Sequence, residues 1–134
     1  MGTNYYLITS DKSKKILLGT NYTIVEEPYF AYELHIMKKS FGWLPLFEYH
    51  PKAIESVADI KRLYDSGGFE IYDEYGHLVS WEDFEEVFKE DYINYKNGKK
   101  EGLTSHIGQS SHPFIKEVYH IDNEGYEFLE GDFC

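Results

Sequence analysis

The sequence predicts an α+β fold, a mainly antiparallel sheet with two short helices on one side, in a single domain spanning residues 1–134. Three observations carry that prediction. From Tyr32 to Lys38 the chain alternates, with Tyr32, Leu34 and Ile36 on one face and Glu33, His35 and Met37 on the other, the period of a half-buried strand. Two serines each stand three residues before an aspartate at the head of an amphipathic run, Ser56 with Asp59 and Ser80 with Asp83, as capped helices do. The 22 residues that follow the long polar loop are too few to fold alone, so they must return to the sheet.

The elements follow in chain order. Tyr5 to Ile8 and Lys15 to Leu18 are apolar runs split by Ser10-Asp11-Lys12-Ser13, which reads as a strand hairpin. After the alternating strand comes Trp43 to Tyr49, where Pro45 lacks an amide donor and places the segment at an edge or a bulge. In the first helix Val57, Ile60, Leu63 and Tyr64 line one face until Gly67-Gly68 stops it. Glu70-Ile71-Tyr72 and Leu78-Val79 form a short hairpin around Tyr75-Gly76. The second helix runs to about Tyr95, with Trp81, Phe84, Val87 and Phe88 inward and Glu82, Asp83, Glu85, Glu86 and Glu90 outward. Residues 97–112 are the long loop. A final hairpin, Phe114 to Ile121 and Tyr126 to Leu129, turns at Asp122-Asn123-Glu124-Gly125 and points the rings of Tyr126 and Phe128 inward.

A chain that is 42% hydrophobic and 18% aromatic can fill one core, and thirteen tyrosines also suit an interface. The single cysteine, Cys134, permits no internal disulfide. No signal-like or membrane-length apolar run is present, so the expectation is a cytoplasmic protein without a membrane partner. Charge is distributed unevenly. Residues 1–50 balance five lysines against five carboxylates, whereas residues 51–134 carry 19 acidic and 8 basic side chains and so account for the whole net charge of −11. The blocks Glu70 to Asp91 and Glu117 to Asp132 hold most of the excess. Such a field repels nucleic acid and steers association with a basic partner, although the same composition also serves plain solubility.

Motifs for catalysis are absent: no phosphate loop, dinucleotide fingerprint or nucleophile elbow occurs. Carboxylates at helical spacing on the second helix read as solvated charge, because exposed groups lack the apolar surroundings that would raise one of them. Five histidines, His35, His50, His106, His112 and His120, fall in or beside the sheet segments and their flanking loop. Imidazoles from different strands can converge on a zinc ion, but none of these spacings is a recognised zinc pattern, and a lone strand histidine is usually a surface or satisfied core residue.

Several segments carry a resemblance. The opening Met1-Gly2-Thr3-Asn4-Tyr5-Tyr6, the run His35-Ile36-Met37-Lys38-Lys39-Ser40-Phe41-Gly42-Trp43, Ile71 to Gly76, Trp81-Glu82-Asp83-Phe84, Gly125 to Phe128 and Gly131-Asp132-Phe133 resemble, in order, a group of small bacterial and phage proteins. Many of that group have a Cys-x-x-Cys pair shortly before the histidine that corresponds to His35, which reads as half of a zinc site. Here Thr23 to Glu27 occupies that place without cysteine, so the resemblance implies exchanged ligands. A structural zinc is then expected on His35 and His106, joined by His50 and Glu27, with Glu26 an equal substitute for Glu27.

Within that group the chain is also similar to acidic anti-CRISPR proteins of streptococcal prophages, which inhibit the type II-A effector nuclease. The resemblance implies a non-enzymatic inhibitor in the host-cell cytoplasm that blocks target DNA by docking near the positively charged channel of the nuclease. Its candidate contacts are Glu82, Asp83, Glu85, Glu86 and Glu90, with Asp122, Glu124, Glu127, Glu130 and Asp132 as a second surface and Tyr92 and Tyr95 as aromatic anchors. Two other readings stand beside it. One is a zinc-stabilised acidic phage protein that binds another basic partner; the other is a small metal-dependent hydrolase with His35 and His106 as ligands and Glu33 as base.

Overall fold

The computed structural model describes residues 2–27, 30–98, 103–107 and 118–131. Eight strands and two α-helices run in the order β1 Gly2–Thr9, β2 Thr23–Val25, β3 Ala31–Ser40, β4 Leu46–Tyr49, α1 Val57–Asp65, β5 Glu70–Asp73, β6 Leu78–Val79, α2 Trp81–Lys96, β7 Val118–Ile121 and β8 Glu127–Glu130, among the described residues. One sheet contains them all, in the order β6-β5-β1-β3-β4-β8-β7, with β2 beside the start of β3. Pairing is antiparallel except between β4 and β8, where Phe47 faces Phe128 in a parallel ladder. The expected α+β architecture is therefore present, with the last hairpin completing the sheet. The predicted strand start at Phe114 to Glu117 lies outside the described residues.

Local chemistry accounts for both α-helices. Ser56 Oγ accepts the Asp59 N–H at 3.2 Å while the Asp59 carboxylate accepts the Glu55 N–H at 2.9 Å, so two backbone donors at the head of α1 are satisfied. Ser80 Oγ caps α2 in the same way through the Asp83 N–H at 3.1 Å. Gly67 follows α1 at a φ of +87°, a conformation that a side chain would disfavour.

Three local expectations are corrected. Lys15 to Leu18 is not a strand but the end of a 3-10 helix over Lys12–Leu18, because Asp11 accepts the Ser13 N–H and hydroxyl and caps the turn, leaving Leu18 to enter the core. The strict alternation of β3 fails at its centre. Tyr6 pairs with His35 but Tyr5 pairs with Met37, so a β-bulge absorbs one residue and turns Met37 into the core rather than away from it. The strand predicted from Trp43 begins only at Leu46, after Pro45, and Trp43 makes an isolated bridge to Thr104 instead.

The core lies between one face of the sheet and the helices. Leu7, Leu34, Phe47, Ile71 and Phe128 from the strands pack with Val57, Ile60 and Leu63 of α1 and Trp81, Phe84 and Phe88 of α2. Phe47 stands at its centre, stacked on Phe128 at 5.1 Å and edge-on to Phe88 at 5.2 Å. Tyr126 joins from the last hairpin, edge-on to Phe88 at 5.2 Å. Alternation then places Tyr6, Ile8, Glu33, His35, Glu48 and Tyr72 on the opposite face.

The candidate partner surface and the histidine centre

The expected acidic face of α2 is present. Glu82, Asp83, Glu86 and Glu90 are exposed and form no salt bridge with a described residue, while Glu85 is half-buried and 3.7 Å from Lys89. Glu82 and Asp83 sit in the first turn, where the helix dipole favours them. Glu82, Glu86 and Glu90 are spaced four apart and make one stripe of like charge, which costs a helix a few tenths of a kcal/mol per pair, about 0.2–0.5. Asp132 lies outside the described residues.

The second acidic surface divides. Asp122 is occupied by the fold: Oδ1 accepts the N–H groups of Glu124 and Tyr126 at 3.0 and 2.9 Å, and Oδ2 accepts the Val57 N–H at 3.0 Å, which caps α1 from the β7–β8 turn. Glu127 is buried and accepts from Ser105 Oγ at 2.6 Å and the His106 N–H at 3.2 Å, mooring residues 103–107 to β8. Among the described residues of that surface only Glu124 and Glu130 are exposed, and Glu130 lies 3.3 Å from His120 Nε2. Of the two expected aromatic anchors, Tyr92 has a structural task. Its hydroxyl donates to the Pro45 carbonyl and accepts the Glu127 N–H at 3.2 Å, joining α2 to the β4 and β8 ends of the sheet. Burial holds that hydroxyl well above the ordinary tyrosine value, against the pull of the Glu127 amide.

The four residues expected to hold zinc fall into three surroundings, with only His35 and His50 together. His35 is buried on β3, with Nδ1 2.8 Å from Glu48 Oε1 and Nε2 2.8 Å from Asn4 Oδ1. His50 Nε2 donates to the His35 carbonyl at 2.7 Å and lies 3.1 Å from Glu48 Oε2, so one carboxylate serves both imidazoles. His50 Nδ1 is buried and has no hydrogen-bond partner among the described residues. His106 is elsewhere, stacked on Trp43 at 4.7 Å with Nε2 donating to the Leu44 carbonyl at 3.1 Å. Glu27 is exposed and lines a cleft with Glu33. Among the described residues no group of three or more His, Cys, Asp or Glu side chains is arranged to hold a metal ion. His112, the remaining histidine of the sheet-flanking loop, lies outside them.

Glu48 is the residue that sequence reasoning passed over. It sits between Phe47 and Tyr49 in the segment predicted as a strand, where no local motif marks it. Its partnership with His35 forms across the β3–β4 pairing, beyond Met37 opposite Phe47, and so could not be read locally. Glu33, the candidate base, is half-buried; burial raises its carboxyl above the usual value, with the nearby His35 pulling the other way. No helix among the described residues is long and apolar enough to cross a membrane. No protein-family model, curated protein or solved structure matches this chain.

Proposed function

We propose that this protein is an anti-CRISPR inhibitor, acting in the host cytoplasm, that binds the type II-A effector nuclease through its acidic surface and blocks engagement of target DNA. The observation that carries the reading is the stripe Glu82, Glu86 and Glu90, flanked by Asp83, exposed on one helix and without a salt-bridge partner among the described residues. Like charges at this spacing repel one another, and beyond the first-turn dipole the described fold gives Glu86 and Glu90 no partner, so the stripe is suited to a partner of opposite sign. The basic channel that holds a guide–target heteroduplex is a partner of the matching sign. Occupancy suffices for inhibition, so no catalytic step is involved.

Exposed charges contribute little singly and are screened by salt. Reversing Glu86 alone is therefore expected to weaken binding modestly, whereas reversing Glu82, Asp83, Glu86 and Glu90 together abolishes it. In a cleavage assay, inhibition should be strong when the protein meets the nuclease before DNA and weak once the DNA complex has formed. Equal inhibition in both orders would exclude competition for DNA entry. Absence of inhibition of every type II-A effector would leave the same stripe serving another basic partner, which a pull-down from a host that encodes the system would identify. Zinc enters this reading only as a structural ion that competes with the hydrogen bonds of His35, His50 and His106. Elemental analysis after purification without added metal tests it, and a stoichiometry near zero removes zinc from the account.

A further inference from the structure

We propose that a cleft on the sheet face away from the helices receives an arginine side chain of a protein partner. The cleft has a volume of about 460 Å³ and crosses four strands. Ile8, Val25 and Ala31 supply an apolar floor, Tyr6 and Tyr72 supply rings, and Glu27 and Glu33 supply charge. Among the described residues no lysine, arginine or histidine lines it. Two further carboxylates on its rim are engaged locally: Asp73 accepts the Tyr75 and His77 N–H groups at 2.9 Å, and Glu74 accepts the Asn4 N–H at 2.8 Å. Glu27 and Glu33 form no hydrogen bond or salt bridge with a described residue. Glu33 is thus a half-buried carboxylate whose burial disfavours its charge more than the nearby His35 favours it, with no bonded cation among the described residues.

The complement of that lining is a cation on an apolar stem. A guanidinium stacks on aromatic faces and bonds carboxylates through a planar fork, which an ammonium does not. Its three methylenes would lie on Ile8, Val25 and Ala31, and its head would meet Glu33 in a site less hydrated than the exposed face of α2. This inference rests on the preceding reading only for the identity of the partner; the chemistry of the cleft stands apart from it.

The test uses the full chain and two small probes, N-acetylarginine amide and its neutral analogue N-acetylcitrulline amide, titrated into isotopically labelled protein and followed by backbone amide shifts. Saturable shifts centred on Tyr6, Ile8, Glu33 and Tyr72 are expected with the arginine probe and none with citrulline. Glu33→Gln should weaken binding about tenfold or more while keeping the dispersed spectrum of a folded chain. Asp65→Asn removes the same charge from the end of α1, on the helix side, and should leave the affinity within about twofold. Tyr72→Leu, which keeps an apolar wall and removes the ring, should also weaken the arginine probe. Equal loss in Glu33→Gln and Asp65→Asn would mean diffuse attraction to an acidic protein and would overturn the proposal, as would shifts confined to α2 or equal binding of an N-acetyllysine amide. Loss of nuclease inhibition with arginine binding intact would instead reject the partner and keep the cleft.

Discussion

On the helix side of the sheet, Leu7, Leu34, Phe47, Ile71 and Phe128 meet Ile60, Phe84 and Phe88; on the other side, alternate residues of the same strands are Tyr6, Glu33, His35, Glu48 and Tyr72. The first set is held by apolar burial, which is non-directional and depends on volume. The second depends on which atom faces which: Glu48 between two imidazoles, Asn4 on His35, Glu33 facing a cleft. One face therefore makes the domain stable, and the other makes it particular. Buried polar groups must each find a partner, so they fix register where an apolar face tolerates drift.

The sharpest way to break this contrast is to cut both faces to the same size. Phe47→Ala is expected to cost about 3–5 kcal/mol in denaturant unfolding, since it empties the centre of the core. Tyr72→Ala, on a partly exposed strand of the cleft, should cost well under half of that, and an equal loss would show that the cleft face is core as well.

Next in size is Glu48. Glu48→Leu leaves His35 Nδ1 without its acceptor and removes the carboxylate beside His50, and is expected to cost about 2–3 kcal/mol. A second substitution, His35→Leu with Glu48→Leu, should recover part of the loss, because two apolar partners leave fewer polar groups stranded. A loss that is merely additive would mean that the two side chains do not depend on each other.

A smaller effect is expected at Lys52, in the turn His50–Ala53 that carries the chain from β4 toward α1. Lys52 has a φ of +67°, alone among the described non-glycine residues, and the Ala53 N–H closes the turn on the His50 carbonyl at 3.0 Å. Glycine occupies that backbone without strain, so Lys52→Gly should gain about 1 kcal/mol. An unchanged melting temperature would show that the lysine side chain offsets its own backbone.

The smallest effect is the pH dependence of Glu33. Its folded carboxyl is raised by burial, so the folded state binds this proton more tightly than the unfolded chain does. The resulting stability is present below the unfolded glutamate value and is lost as pH rises through the folded one. Glu33→Gln should therefore be stabilising relative to the parent at neutral pH, with the advantage disappearing under acid. A difference independent of pH would mean that Glu33 is fully solvated.

What could be read in the sequence follows the same division. Ser56 and Ser80 announce helices because a cap and its recipient are three residues apart, and the packing of Trp81, Phe84 and Phe88 follows from period alone. The 3-10 helix over Lys12–Leu18 was missed because four residues of apolar run resemble a strand as well as a tight helix. The roles of Asp122, Glu127 and Glu48 were hidden for a different reason. Each carboxylate is satisfied by a group distant in sequence, Val57, Ser105 or His35, and nothing local to it announces that partner. Among the candidate contacts, the helical stripe was legible and the cleft was not, because Tyr6, Glu27, Glu33 and Tyr72 become neighbours only when β5 joins β1.

The parallel pairing of β4 with β8 also has a kinetic side. Phe47 and Phe128 are partners across most of the chain, with both helices in the intervening segment, and β1 likewise waits for β5. Closing such contacts loses loop entropy before much burial offsets it, so the domain should fold on the slow side for its length, with α1 and the β5–β6 hairpin able to form early and β8 docking last. Until it docks, the edge of β4 offers an unpaired ladder to any other extended chain. The interval before closure, rather than the finished fold, is when this protein is most exposed to aggregation.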